Sequence, residues 1–200
     1  MPALTGLGGN GVTMRLLCGV CIVAAGLSIP VQAGVIDFES LPSGNPSDGM
    51  LIGNQYAADG ITFRLGGGGL PMLTGVGSPQ TAFKGPGGAD TPLTPGEFGS
   101  FLLTDDGTTI GVPKPIIMDF AQPQGFVTGT MVDIDKDEAF SVVAYDSDGN
   151  LLQTVNLGEL PDGMSSYWGF TFQAPVVSQI QIVYGGLKQS KVGFGLDNIV

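Results

Sequence analysis

Alternating apolar and polar residues fill most of the chain after residue 34. In the stretch WGFTF, for example, Trp168, Phe170 and Phe172 would share one face, because successive side chains of a strand point to opposite faces. No segment after residue 34 repeats its apolar residues with the 3.6-residue period of a helix. The pattern therefore predicts an all-β protein. The predicted strands cover residues 35–39, 50–57, 61–65, 98–103, 115–120, 126–134, 139–145, 151–157, 167–173, 178–184 and 192–199.

Turn-forming residues separate these runs. The chain contains 34 glycines and 14 prolines, yet 42% of its residues are hydrophobic, which favours a packed fold with many turns over a disordered chain. The sequence Asp148-Gly149-Asn150 is typical of a hairpin turn. Short strands at this spacing predict two packed antiparallel sheets, a jelly-roll-like β-sandwich over 34–200. Glycine and proline dominate residues 66–97, which we expect to form a long loop that covers or rims one face.

The first 33 residues have the pattern of a secretory signal peptide. Arg15 is followed by the apolar run LLCGVCIVAAGL and then by the sequence VQA, which ends at Ala33 and resembles a cleavage site. Such a run is short for a membrane-spanning helix, which needs about 20 apolar residues. No basic residue precedes Met14, so Met14 is an alternative start of translation. Cleavage near Ala33 would release residues 34–200 as a secreted or cell-envelope domain without a transmembrane segment.

Charge and residue types narrow the chemistry further. The net charge of −11 disfavours nucleic acid and anionic lipid as partners and suits cations. Both cysteines, Cys18 and Cys21, lie in the predicted signal peptide, so we expect neither a disulfide nor a lipid anchor in the mature domain. The chain has no histidine, which excludes Ser-His-Asp and Cys-His catalysis and the common zinc sites. Oxygen ligands remain plentiful, and these favour calcium.

Carboxylates interrupt the apolar runs at both ends of the predicted domain. Asp37 and Glu39 lie in VIDFESL, and Asp197 lies in GFGLDNIV. A buried carboxylate is costly unless it is paired, hydrogen-bonded or bound to a metal. In jelly-roll folds the first and last strands often lie side by side, which would bring the three carboxylates together. Their repulsion then predicts a bridging cation. We expect it to be a structural calcium ion with Asp37, Glu39 and Asp197 as its ligands.

The same segments carry a resemblance to a known group of proteins. VIDFESLPSG, IGNQYAADGITF and the terminal GFGLDNIV resemble bacterial secreted β-sandwich proteins of the PEP-CTERM-associated type. That group is similar to calcium-containing carbohydrate-binding jelly rolls, and the resemblance implies that Asp37, Glu39 and Asp197 are structural calcium ligands. The Val-Pro-Glu-Pro sorting tail of the group is not present before Val200. The alternatives are a tail that follows in a longer chain and release of the protein without anchoring.

A second acidic cluster lies in MVDIDKDEAF, where Asp133, Asp135, Asp137 and Glu138 fall within six residues. The plainest interpretation is a solvated turn between two strands. A calcium loop formed by Asp133, Asp135 and Asp137 is the weaker metal hypothesis, since the glycine and the distant glutamate of an EF-hand are missing. A third interpretation is a catalytic strand of a jelly-roll glycoside hydrolase, with paired carboxylates. Lys136 breaks the alternation that such a strand would need.

Exposed aromatic side chains are the usual platforms for sugar rings. Tyr167 and Trp168 are the candidate ligand-binding residues, although Trp168 is in register with Phe170 and Phe172 and so also fits a core position. The sequence as a whole therefore predicts a non-catalytic binding or surface module that contacts a polysaccharide or a cell-envelope component. A purely structural matrix or envelope protein and a glycoside hydrolase are the alternatives.

Overall fold

The computed structural model describes residues 34–75, 84–85, 88–89, 98–105, 111–161, 164–190 and 192–200. The predicted signal peptide, 1–33, and much of the predicted loop, 66–97, lie outside the described residues. Apart from the 3₁₀ helix Ala57–Asp59, the regular elements of the described residues are strands, and none of their helical segments has the length and apolar character needed to cross a membrane. The strands are β1 Ile61–Leu65, β2 Met72–Gly75, β3 Lys84–Gly85, β4 Gly88–Ala89, β5 Phe101–Thr104, β6 Ile116–Gln124, β7 Phe126–Val132, β8 Phe140–Tyr145, β9 Leu151–Leu157, β10 Ser165–Thr171, β11 Val177–Tyr184 and β12 Gly195–Asp197.

Within the described residues the strands form two five-stranded sheets and one short hairpin. The first sheet has the order β1-β6-β11-β8-β9, the second has the order β10-β7-β12-β5-β2, and β3 pairs with β4. All paired strands are antiparallel. The chain changes sheet after β1, β5, β6, β7, β9, β10 and β11. These repeated crossings confirm the predicted jelly-roll-like sandwich.

The two sheets enclose one hydrophobic core. Met118 and Ile180 of the first sheet and Met131 and Phe170 of the second are buried in the same cluster. Removing a large apolar side chain from water stabilises a fold by about 1.5–3 kcal/mol. Because strand side chains alternate, the residues between these core positions lie on the outer faces of the sheets. The outer face of the second sheet is partly covered, since Leu102 and Val132 are buried there in a second, smaller cluster with Phe98.

The two ends of the described domain meet. Ile36 and Ile199 form an antiparallel bridge, in which the Ile36 N–H donates to the Ile199 carbonyl at 2.8 Å and the Ile199 N–H donates to the Ile36 carbonyl at 3.0 Å. Val200 and Thr128 exchange two further backbone hydrogen bonds at 3.1 Å. The pairing that the sequence analysis assumed for the first and last strands is confirmed.

Two predicted strands are wrong for local reasons. Residues 35–39 contribute only the bridge at Ile36, because Phe38 adopts a left-handed conformation with φ 57° that ends the extended backbone. Residues 50–57 contribute only the bridge of Leu51 to Met72, and the chain turns after it. The Gln55 side chain accepts a hydrogen bond from the Gly53 N–H at 2.6 Å and donates to the Leu51 carbonyl at 2.7 Å, which closes that turn instead of a sheet ladder.

The predicted loop at 66–97 contains strands that the pattern did not indicate. β2 pairs with β5 in the second sheet, and Met72 also bridges to Leu51. β3 and β4 form the separate hairpin. The last predicted strand, 192–199, shortens to Gly195–Asp197. The four residues of β2 are too few to display a period, so their extended state depends on pairing with β5.

Candidate functional site

The first and last segments of the domain meet at the bridge between Ile36 and Ile199, which we call the chain junction. An aromatic cluster packs beside it. Phe38, Tyr56 and Phe63 are buried and contact one another edge to face, with ring centroids 5.8–6.2 Å apart. Phe38 at φ 57° and Asn198 at φ 51° both have left-handed backbones. Such conformations are unfavourable for bulky side chains, and they persist only where surrounding contacts enforce them. The junction therefore has a defined geometry on both of its chain segments.

Asp197 is the last residue of β12 and lies at the centre of the junction. It pairs in register with Thr130 of β7, and it is only 2% exposed. The Asn198 N–H donates to Asp197 Oδ1 at 2.8 Å. Burial, together with the nearby charges of Asp37 and Glu39, raises the pKa of Asp197 to about 7 against the lowering effect of that hydrogen bond. The structure thus places a carboxyl group where its ionised form is costly.

Asp37 and Glu39 flank Asp197, as the sequence analysis predicted for paired chain ends. The Glu39 N–H donates to Asp37 Oδ1 at 3.1 Å. The N–H groups of Ser100 and Phe101, where β5 begins, donate to Glu39 Oε1 at 2.6 and 2.7 Å. Backbone donors therefore hold one oxygen of each flanking carboxylate. These bonds fix both side chains beside the buried aspartate.

The negative charges of the junction affect the pKa of Tyr56. Burial, together with the charges of Asp37, Asp59 and Asp197, raises its pKa to about 12. The Tyr56 hydroxyl donates to the Ser40 carbonyl at 2.8 Å. A cleft of about 310 Å³ opens beside these residues and is lined by Asp37, Tyr56 and Asp59 among others. Of the three junction carboxylates, only Asp37 lines this cleft.

The junction carboxylates have no basic partner among the ion pairs of the described residues. Those pairs join Arg64 to Asp119 and Lys188 to Asp135 and Glu138. The described residues also contain no ready-made group of three acidic, histidine or cysteine side chains arranged around one metal position. Asp37, Glu39 and Asp197 therefore do not surround one metal position in this structure.

The second acidic cluster connects β7 to β8. Asp133 and Asp137 have left-handed backbones, with φ 64° and 65°, and the Glu138 N–H donates to the Asp135 carbonyl at 3.1 Å. The Asp137 carbonyl accepts the Leu187 N–H at 2.8 Å. These hydrogen bonds make the segment a tight turn, which is the plainest of its three interpretations.

Glu138, like Asp133, is buried in this turn. Its side chain has no exposure, and Lys188 Nζ lies 2.6 Å from its Oε1 and 3.5 Å from Asp135 Oδ2. Burial raises the pKa of Glu138, while the hydrogen bond and the charge of Lys188 lower it. In this arrangement Glu138 serves an ion pair and does not face a substrate cleft. The metal hypothesis for Asp133, Asp135 and Asp137 remains an untested prediction.

The turn between β8 and β9 is confirmed. Asp146 Oδ1 accepts the N–H groups of Asp148 and Asn150 at 2.9 and 2.8 Å, and Gly149 adopts φ 79°. The Asn150 side-chain amide, which donates to Asp146 Oδ2 at 2.9 Å, and these backbone donors lower the pKa of Asp146. The Asp-Gly-Asn sequence is fully accounted for by hairpin chemistry.

The two predicted sugar-contact residues lie on opposite faces of β10. Trp168 is 3% exposed and packs over Gly129 inside the core, so it cannot meet a ligand at the surface of this structure. Its core interpretation is confirmed. Tyr167 is 68% exposed on the outer face of the second sheet. The pair therefore does not form one platform, and only Tyr167 is placed to contact a ligand.

A polar row on the first sheet was not singled out from the sequence. Asp119 of β6, Gln179 of β11 and Tyr145 of β8 are aligned across three neighbouring strands. A groove of about 410 Å³ runs along this face, and these three residues line it together with Gln181. The sequence signal was the alternation in SQIQIVY, which places Gln179 and Gln181 on the face opposite the core. It did not reveal which residues of other strands lie beside them.

Comparisons with known proteins return structural likenesses but no family. No family model and no curated protein matches the chain. Among solved structures, the enzymatically active domain of tailspike protein 4 from bacteriophage CBA120 is similar, with 13% identity and a TM-score of 0.36. The likeness covers 77% of this chain and 20% of that chain, so the chain spans about a fifth of the other protein's length. Functional conclusions therefore depend on the geometry of the described residues.

Proposed function

We propose that the protein is a secreted or cell-envelope module that binds carbohydrate without cleaving it. In this proposal a calcium ion stabilises the β-sandwich at the chain junction. The observation that supports the calcium ion is the buried Asp197, which lies near Asp37 and Glu39 where the first and last segments of the domain pair. Asp37, Glu39 and Asp197 are the proposed ligands, and their side chains would have to turn toward a shared ion, because they do not surround one position in this structure.

The junction residues fit a calcium ion on chemical grounds. Calcium accepts six to eight oxygen ligands and takes carboxylates, backbone carbonyls and water. Asp197 contributes a carboxyl group whose ionised form is costly in the protein alone, since its pKa is raised to about 7. A divalent cation would favour that ionised form and offset the repulsion from Asp37 and Glu39. The bound ion would tie the first and last segments of the domain together.

The burial of Glu138, a carboxyl group of the predicted catalytic strand, supports a non-catalytic role. A glycosidase presents two carboxyl groups on either side of an open substrate site, about 5–10 Å apart. Glu138 is instead enclosed and paired with Lys188. Carbohydrate is the proposed ligand because the outer face of the first sheet presents ordered side-chain amides beside an aromatic ring. Amide and aromatic groups are the chemistry by which proteins hold hydroxylated rings.

Affinity electrophoresis of the protein through gels that contain different polysaccharides tests this function. We expect retardation by at least one polysaccharide, with no release of reducing ends on long incubation. Because the calcium would stabilise the fold and not touch the sugar, calcium and chelator should give the same affinity at a temperature where both forms are folded. Unchanged mobility in every gel, or release of reducing ends, would contradict the proposal.

A further inference from the structure

A hydrogen-bonded row of side chains crosses the outer face of the first sheet. Gln179 Nε2 donates to Asp119 Oδ1 at 2.6 Å, and Gln181 Nε2 donates to Gln179 Oε1 at 2.6 Å. Arg64 Nε donates to Asp119 Oδ2 at 2.7 Å and completes the row at its other end. The side chains are half-buried to exposed, so they are ordered by one another while remaining open to solvent. Ordering of this kind lowers the entropy cost of binding a ligand.

The row keeps unused hydrogen-bonding capacity toward the groove. A glutamine amide has two N–H donors and one carbonyl acceptor. In the bonds of the row, Gln179 uses one N–H and its carbonyl, while Gln181 uses one N–H. Each amide therefore retains an N–H, and Gln181 also retains its carbonyl. A sugar hydroxyl can both donate and accept, so two neighbouring hydroxyls match this set of donors and acceptors.

The groove adds an aromatic wall and a size limit. Tyr145 and Phe120 line it beside the polar row, and its volume of about 410 Å³ falls in the range of small-molecule sites, roughly 300–1,000 Å³. An aromatic face is apolar enough to cover the C–H surface of a sugar ring. The combination of one apolar wall and one row of amides is suited to a ring with hydroxyls at its edge.

The charges around the groove select among saccharides. Asp119 and Asp146 line it, Arg64 is already paired with Asp119, and the chain carries a net charge of −11. A uronic acid or a sulfated sugar would bring a like charge beside these carboxylates, which is unfavourable. A neutral sugar meets no such penalty. The electrostatics therefore favour neutral glycans over acidic ones.

We propose that the groove lined by Asp119, Tyr145, Gln179 and Gln181 is the carbohydrate site, and that its ligand is a neutral polysaccharide chain. This inference rests on the proposed binding function. It places the carbohydrate site on the first sheet, whereas the sequence predicted a contact at Tyr167, which lies on the second. The residues Gln179 and Gln181 hold the hydroxyls, Asp119 positions the first amide, and Tyr145 covers the ring.

Three variants of the protein test this site by affinity electrophoresis. Tyr145→Ala and Gln181→Ala each change one side of the groove, and Tyr167→Ala is the matched control on the other sheet. Loss of a hydrogen bond or a ring contact worth about 1.4 kcal/mol weakens binding tenfold. We therefore expect dissociation constants for a neutral glucan, mannan or xylan to rise about tenfold in both groove variants and to stay unchanged in Tyr167→Ala. Gln181 is half-exposed, so its variant should retain the wild-type melting temperature and report on binding alone.

The outcomes separate the site from the function. If Tyr167→Ala weakens binding and the groove variants do not, the site is overturned while carbohydrate binding stands. Tighter binding to alginate or pectate than to every neutral polysaccharide would overturn the ligand class. If the wild-type protein is not retarded by any polysaccharide, both the function and the site are overturned.

Discussion

Asp197 and Glu138 are both buried carboxylates, but they have different partners. Glu138 has Lys188 at 2.6 Å, so a protein cation offsets its burial. Burial and two neighbouring carboxylates raise the pKa of Asp197 to about 7, and one backbone N–H offsets only part of that shift. An uncompensated buried charge is a large cost in a marginally stable domain. This contrast is why a calcium ion is proposed at Asp197 and not at Glu138.

Asp197→Asn removes the charge and keeps the size of the side chain. In chelator at pH 8 we expect the variant to be more stable than wild type, with a free energy of unfolding larger by on the order of 2–4 kcal/mol. The reason is that wild-type Asp197 must ionise at this pH against its raised pKa. Below the unfolded pKa of an aspartate, near pH 4, both states hold the proton and the gain should vanish. Urea unfolding at pH 4, 6 and 8 measures this. A variant less stable than wild type at pH 8 in chelator would contradict the account.

Lys188→Met leaves Glu138 buried without its cation. We expect the free energy of unfolding to fall by about 1–3 kcal/mol at pH 8, the cost of a buried polar group that loses its partner. Loss of Lys188 raises the pKa of Glu138 further, so the deficit should shrink as pH falls and Glu138 gains a proton in both states. Denaturant unfolding of Lys188→Met and of the exposed control Lys136→Met measures both effects. Equal losses in the two variants, or a deficit independent of pH, would refute this role.

At the scale of single elements, strands with uninterrupted alternation could be predicted from the sequence. β1 and β9 have the predicted bounds, 61–65 and 151–157. Strand predictions were wrong where a side chain took the backbone hydrogen bonds of a strand, as Gln55 does with Gly53 and Leu51. β2 could not be predicted, because its extended state depends on pairing with β5, a contact between distant parts of the chain.

Gly129 of β7 is needed where β10 and the chain end approach. A Cβ built there would lie 2.8 Å from Trp168 Cε2 and 3.0 Å from Ile199 Cδ1, too close for either group. We expect Gly129→Ala to destabilise the protein by about 1–3 kcal/mol through overpacking. A Cβ at Gly185 would meet nothing within 4 Å, so Gly185→Ala is the matched control. Thermal melts of both variants decide the point, and similar melting temperatures for the two would contradict it.

For the whole molecule, the fold class and the meeting of the chain ends could be predicted, since strand patterning and the ends of jelly rolls follow general rules. The proximity of Asp37, Glu39 and Asp197 followed from that pairing. The groove on the first sheet could not be predicted. It depends on which residues of β6, β8 and β11 are aligned, and strand register across crossovers is not written in a single sequence.

A thermal melt in about 1 mM calcium and again in excess chelator, at pH 8, tests the central claim that calcium closes the sandwich at the chain junction. For a dissociation constant near 10 μM, calcium would add about 2.7 kcal/mol to the free energy of unfolding. That gain should raise the melting temperature by about 5–10 °C. We expect the shift to disappear in Asp197→Asn and to persist in Asp148→Asn, which removes an exposed carboxylate from the β8–β9 turn. Equal melting temperatures of the wild-type protein in calcium and chelator would contradict the claim, and backbone donors alone would then hold Asp37, Glu39 and Asp197.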